Sequence, residues 1–151
     1  MKKLTLLSLL VLFVGRINAQ TEIKISPAAL LFEVVAIAVE TAVTPSVGME
    51  ADAIFGQEDF RFNINGKFYF NPKSRIDGFH VGAFLGNVGN TESVGLGFLV
   101  GYKILSKKRL LFEAGLGIGR SFDDGIVGYG KLHLGYRFGK GKTSPMPNES
   151  R

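Results

Sequence analysis

The sequence contains no cysteine. That excludes disulfides, thiolate metal sites and lipidation of an N-terminal cysteine, so stability rests on packing and hydrogen bonding alone. The apolar run Leu4 to Val14 is short of the roughly 20 residues that a membrane-spanning helix requires. An excess of one charge is also missing from the body of the chain. Lys2, Lys3 and Arg16 supply three of the five net positive charges, and Lys140, Lys142 and Arg151 against Glu149 supply the other two. Gln20 to Phe138 holds twelve basic and twelve acidic residues, so the high pI carries no signal of nucleic-acid binding.

Catalytic signatures are missing as well. The stretch Gly115-Leu116-Gly117-Ile118-Gly119 lacks the Lys-Ser/Thr of a phosphate-binding loop and alternates as a strand does. Ser93, Ser106 and Ser121 fall at strand ends or in turns, without a strained nucleophile motif. A lipid-deacylating triad needs Ser, His and an acid together on the outer face, and neither histidine falls there. The sequence therefore predicts a non-enzymatic protein without cofactor or metal. His80 and His133 with Glu113 lack the fixed spacing of a metal site and are read as hydrogen-bonded interior groups.

What is present is an export signal followed by strands. Lys2 and Lys3, the apolar Leu4 to Val14 and Ile17-Asn18-Ala19 before Gln20 form a signal-peptide pattern over residues 1–19. The 132 residues left make one domain. Nineteen of the chain's twenty glycines lie in it, most of them spread through its apolar segments. In Val94 to Ile104, Val, Leu, Phe, Val, Tyr and Ile occupy even positions, while Gly95, Gly97, Leu99, Gly101 and Lys103 occupy odd ones, a strict period of two. Leu110 to Arg120, Tyr129 to Phe138, Phe60 to Phe70, Phe79 to Leu85 and Val47 to Phe55 repeat the split. Turn residues separate them at Thr44-Pro45-Ser46, Gly56 to Asp59, Asn71-Pro72, Asn87 to Asn90, Ser106 to Lys108 and Asp123-Asp124-Gly125.

Ile23 to Val43 reads two ways. Ser26-Pro27 is a good helix opening, but β-branched residues at Val35, Ile37, Val39, Thr41 and Val43 favour two strands with a tight turn near Phe32 to Val34. Two strands there bring the total to eight, predicting a closed antiparallel up-and-down transmembrane β-barrel over residues 20–138, followed by a disordered polar periplasmic tail over 139–151.

Alternation alone also fits a soluble periplasmic barrel binding a small lipophilic ligand, in which the wet face is inverted. The polar face decides, because glycine with isolated charges suits a crowded interior. The residues expected in that interior are Lys24, Glu40, Glu50, Asp52, Arg61, Lys67, His80, Lys103, Glu113, Lys131, His133 and Arg137. Both signs are present, as a buried network needs. No charge is expected on the apolar face of the six clear strands, and aromatics cluster near strand ends, as an interfacial girdle requires. With an even strand count both chain ends lie in the periplasm. Lys73, Arg75, Lys107, Lys108 and Arg109 then fall on periplasmic turns, and Glu58, Asp59, Glu92, Asp123 and Asp124 on outer loops.

Several short motifs carry a resemblance: Lys24-Ile25-Ser26-Pro27, Glu40, Gly78-Phe79-His80-Val81-Gly82, Gly101-Tyr102-Lys103, Phe112 to Gly117 and the closing Gly135-Tyr136-Arg137-Phe138. Together, over Ile23 to Phe138, the chain resembles the small outer-membrane β-barrel proteins of Gram-negative bacteria, particularly a widespread subfamily of uncharacterised function. The resemblance implies an outer-membrane location, lipid contact, and insertion by the barrel-assembly machinery through an aromatic signal for which Phe138 is the candidate. Thirteen polar residues follow Phe138, and this tail offers a periplasmic partner a place to dock.

Overall fold

The computed structural model describes residues 20–56, 60–87, 93–123 and 125–139. The segment read as a signal peptide, residues 140–151 of the tail, and the loop acids Glu58, Asp59, Glu92 and Asp124 lie outside the described residues.

Eight antiparallel strands close into a single up-and-down barrel in chain order. They are β1 (Thr21–Ile25), β2 (Val35–Ala42), β3 (Val47–Phe55), β4 (Phe60–Tyr69), β5 (Gly78–Asn87), β6 (Val94–Leu105), β7 (Leu110–Ser121) and β8 (Gly125–Phe138). The last strand pairs with the first through Thr21↔Phe138 to Ile25↔Leu134. Because side chains alternate across a pleated strand, one face of every strand meets the lumen and the other the outside.

The barrel is polar within and apolar without. Glu22, Lys24, Glu40, Glu50, Lys67, Lys103 and Glu113 are buried, while Ile37, Phe62, Val100, Leu116 and Leu134 are exposed. Glycine makes the crowded lumen fit. A Cβ at Gly119 would stand 2.7 Å from the Phe84 ring, and one at Gly101 2.7 Å from His80 Nε2.

Three details depart from the sequence reading. First, β1 stops at Ile25 instead of running to a turn near Phe32 to Val34. Ser26 caps a one-turn helix, α1 (Pro27–Leu30), accepting from the Ala29 amide at 3.3 Å, with Pro27 in its first turn. Proline has no N–H for a strand ladder and its fixed φ suits a helix start, so both readings of this segment hold in part. The turn that follows is held by Phe32 N–H to Ala29 O at 3.0 Å and by Glu33 in the left-handed region.

Second, the β4–β5 connection is more than the turn Asn71-Pro72. It spans residues 70–77 and folds over the barrel end, placing Ile76 in full burial against Ala42 and Tyr69. Third, Arg120 lies on the exterior face, contrary to the expectation that no charge falls there. It stands one residue from the end of β7, where a long cation reaches water at little cost.

Candidate functional site

The lumen is the candidate site, and strand register assembles it. Glu22 on β1 lies opposite Glu40 on β2, which lies opposite Glu50 on β3, so three carboxylates stand side by side across the sheet. Like charges placed directly opposite repel. Lys24 of β1 and Lys67 of the neighbouring β4 supply counter-charges from the same side, and closure of the barrel adds those of Lys103 and Lys131.

Lys24 is in contact with Glu40, Glu50 and Glu113. Lys67 reaches the same three carboxylates at 2.8, 2.5 and 2.7 Å. Lys103 pairs with Glu22 at 2.7 Å and Glu40 at 2.9 Å, and Lys131 with Glu50 and, at 3.0 Å, Glu113. Glu40, Glu50 and Glu113 thus each meet several ammonium groups, and Glu22 meets Lys103 and, at 3.6 Å, Lys24. A buried charge is tolerable only in such company.

Neutral donors complete the network. Tyr69 donates to Glu40 at 2.6 Å, Asn65 donates to Glu50 at 3.1 Å and Asp52 at 2.7 Å, and Tyr129 donates to Asp52 at 2.9 Å. The Lys103 ammonium also sits 4.7 Å from the Tyr69 ring centre, within cation–π range. Gly48 leaves room for the Glu40 carboxylate, which a Cβ there would strike.

At the end nearer the termini, Arg137 ties the plug to the wall. Its Nε donates to Glu22 at 2.7 Å, while Nη1 and Nη2 donate to Ser74 O at 2.5 Å and Ile76 O at 3.0 Å. The planar guanidinium suits this forked contact. At the opposite end Ser121 donates to Ser93 at 2.8 Å and Ser93 to Asp123 at 2.9 Å.

Of the residues singled out from sequence, Lys24, Glu40, Glu50, Asp52, Lys67, Lys103, Glu113, Lys131 and Arg137 belong to this network. His80 packs 4.8 Å from the Tyr69 ring, with Nε2 3.4 Å from Glu113. His133 is buried beside Lys131, and its Nδ1 has no hydrogen-bond partner among the described residues. Arg61 faces the lumen half-buried and joins no ion pair among the described residues. Phe138 ends β8 on the outer face, its ring 5.0 Å from that of Tyr136.

Sequence reasoning left out Glu22, Asn65, Tyr69 and Tyr129 as network members. Glu22 precedes the segment read as strand, and its alternation with Lys24 was the available signal. The others lay on the inward parity but are uncharged, so counting charges passed over them.

Glu50, Glu113 and His133 bring potential ligand atoms within 4.8 Å of one another. They do not fit a metal ion, because both carboxylates are already surrounded by the ammonium groups of Lys24, Lys67 and Lys131, which would repel it.

A partly open cavity of about 350 Å³ lies where β8 passes α1. The connector contributes Ser26, Ala28, Ala29 and Phe32, and the polar wall is Asp52, Tyr129, Lys131 and His133. No protein-family model matches the chain, and neither does any curated protein or solved structure.

Proposed function

We propose that this chain is a non-enzymatic integral barrel of a Gram-negative outer membrane, exported by its N-terminal signal and serving a structural or interaction role. The observation that carries this reading is the exterior: apart from Arg120 near a strand end, large apolar side chains face outward along the strands. Along β6 alone, Val94, Leu96, Phe98, Val100, Tyr102 and Ile104 form one uninterrupted exposed row. A soluble monomer seldom exposes more than a few hundred Å² of contiguous apolar surface. The soluble alternative would place this row in water.

In the membrane orientation the chain ends face the periplasm, with Lys73, Arg75, Lys107, Lys108 and Arg109. Aromatic pairs mark both rims, Phe55 with Phe60 at one and Phe70 with Phe79 and Tyr136 with Phe138 at the other. Such girdles sit at headgroup depth. The ion-paired lumen and the Ile76 plug fill the barrel among the described residues, which supports reading it as a filled barrel and not a pore. Insertion by the assembly machinery through Phe138, and a periplasmic partner for the tail, belong to the same reading.

Val100→Arg at the middle of β6 tests it. In lipid vesicles the variant is expected to lose about 2–4 kcal/mol in urea unfolding, as for a cation at mid-membrane. A change within ~0.5 kcal/mol, the usual size for a water-exposed site, would point to the soluble barrel. The native protein is expected in the detergent phase with heat-modifiable gel migration; full solubility without detergent overturns the reading.

A further inference from the structure

The wall of the barrel is incomplete on one side. β8 runs from Gly125 to Phe138, but β1 pairs with it only from Leu134 onward. Were that register continued, Leu30 would stand opposite Tyr129. Pro27 prevents this, and the connector folds into α1, which packs against β8 and β2 instead. Among the described residues, Gly125 to His133 therefore has a strand partner on the β7 side only.

The cavity sits at this free edge. Side chains from both faces of β8 line it, Lys131 and His133 from the lumen and Leu132 from the outside, with Leu116 reaching past Gly130. It thus connects exterior and lumen sideways through the wall. About 350 Å³ falls within the ~300–1,000 Å³ of small-molecule sites. Two buried polar atoms of its lining residues, His133 Nδ1 and Asp52 Oδ1, have no hydrogen-bond partner among the described residues. Leaving such atoms unmet in a native fold is costly, and a ligand that meets them is favoured.

We propose that this seam is a lateral binding site for a single-chain amphiphile with a neutral hydroxyl head, entering from the surrounding lipid. Phe32, Ile54, Leu116 and Leu132 receive the aliphatic chain. The hydroxyl donates to Asp52 Oδ1 and its oxygen accepts from the His133 Nδ1–H. A carboxylate head is disfavoured, because Asp52 repels it and Lys131 is already paired with Glu50 and Glu113. The source of the ligand rests on the membrane reading; the site itself rests on the seam.

The test uses the full mature chain in lipid nanodiscs, titrated with 1-decanol, decane or decanoate and followed by backbone amide shifts. Saturable shifts confined to Ala28–Phe32 and Tyr129–His133 are expected for decanol, with at least tenfold weaker response to decane and decanoate. His133→Phe should abolish the preference for decanol over decane. Ala29→Trp, a connector change outside the ion-pair network, should remove binding of all three by filling the cavity. Shifts spread evenly around β4 to β6, equal responses to decanol and decane, or unchanged binding in Ala29→Trp would overturn the proposal. Detergent-phase partitioning is read separately, so failure of the membrane reading is distinguishable from failure of the site.

Discussion

The two halves of the barrel fill their lumens by different means. In the half nearer the chain ends the wall is complete all round, because β1 bridges β2 and β8 there. Its interior carries most of the ion-paired lysines and carboxylates, with Lys131 reaching Glu50 and Glu113 from the part of β8 that β1 does not cover, and Arg137 holds the Ile76 plug across the opening. In the other half β1 is absent, and the lumen holds Phe84 stacked on Tyr129 at 4.6 Å, with Leu99 beside them and glycines beneath. Most of the charge lies where closure is complete, and Asp52 and Lys131 mark its limit at the seam. A carboxylate in a fully walled lumen has no recourse to water and must be paired, whereas an interrupted wall tolerates small and aromatic residues whose packing needs no partner.

The contrast can be broken by substitution, most severely in the charged half. Lys24→Ala withdraws one ammonium from Glu40, Glu50 and Glu113 together and is expected to cost ~3–5 kcal/mol, as for a buried network losing one partner. Urea titration with heat-modifiable migration reads it, and a near-neutral result would mean that water enters the closed half. Ile76→Ala empties the plug and should cost ~2–5 kcal/mol by the same assay, according to how far the 70–77 segment collapses into the space.

The open half should respond less. Gly97→Ala sets a methyl against the backbone of β7 and the Phe84 ring, an overpacking expected to cost ~1–3 kcal/mol in urea unfolding. The smallest effect is expected for Arg61→Ala, within ~0.5 kcal/mol, because its half-buried head joins no ion pair among the described residues. A loss as large as that of Lys24→Ala would place Arg61 in the network and erase the contrast between the halves.

Much of the architecture was legible because a period of two is local. The even and odd residues of β6 and β7 separate by character, so their facing followed, whereas the count of eight also rested on reading Ile23 to Val43 as two strands. The connector from Ser26 to Val34 was less clear, since it carries helix-opening and strand signals in succession and each operates over its own few residues. The 70–77 plug left no periodic trace. Ile76 is one apolar residue in a loop, and its burial depends on Arg137, far along the chain.

The sequence by itself determined which side chains face inward, and that both signs of charge stand among them, since parity and composition require no partner strand. Only the tertiary structure decided who pairs with whom. Ladder register lines up Glu22, Glu40 and Glu50 and sets Lys67 of the neighbouring β4 beside them, and closure of β8 on β1 brings in Lys131 and turns Lys103 of β6 to face them. The same closure, stopped at Ile25 by Pro27, decided that the wall has a seam. Alternation fixes direction one residue at a time, whereas ion pairing and closure depend on the stagger accumulated over all eight strands.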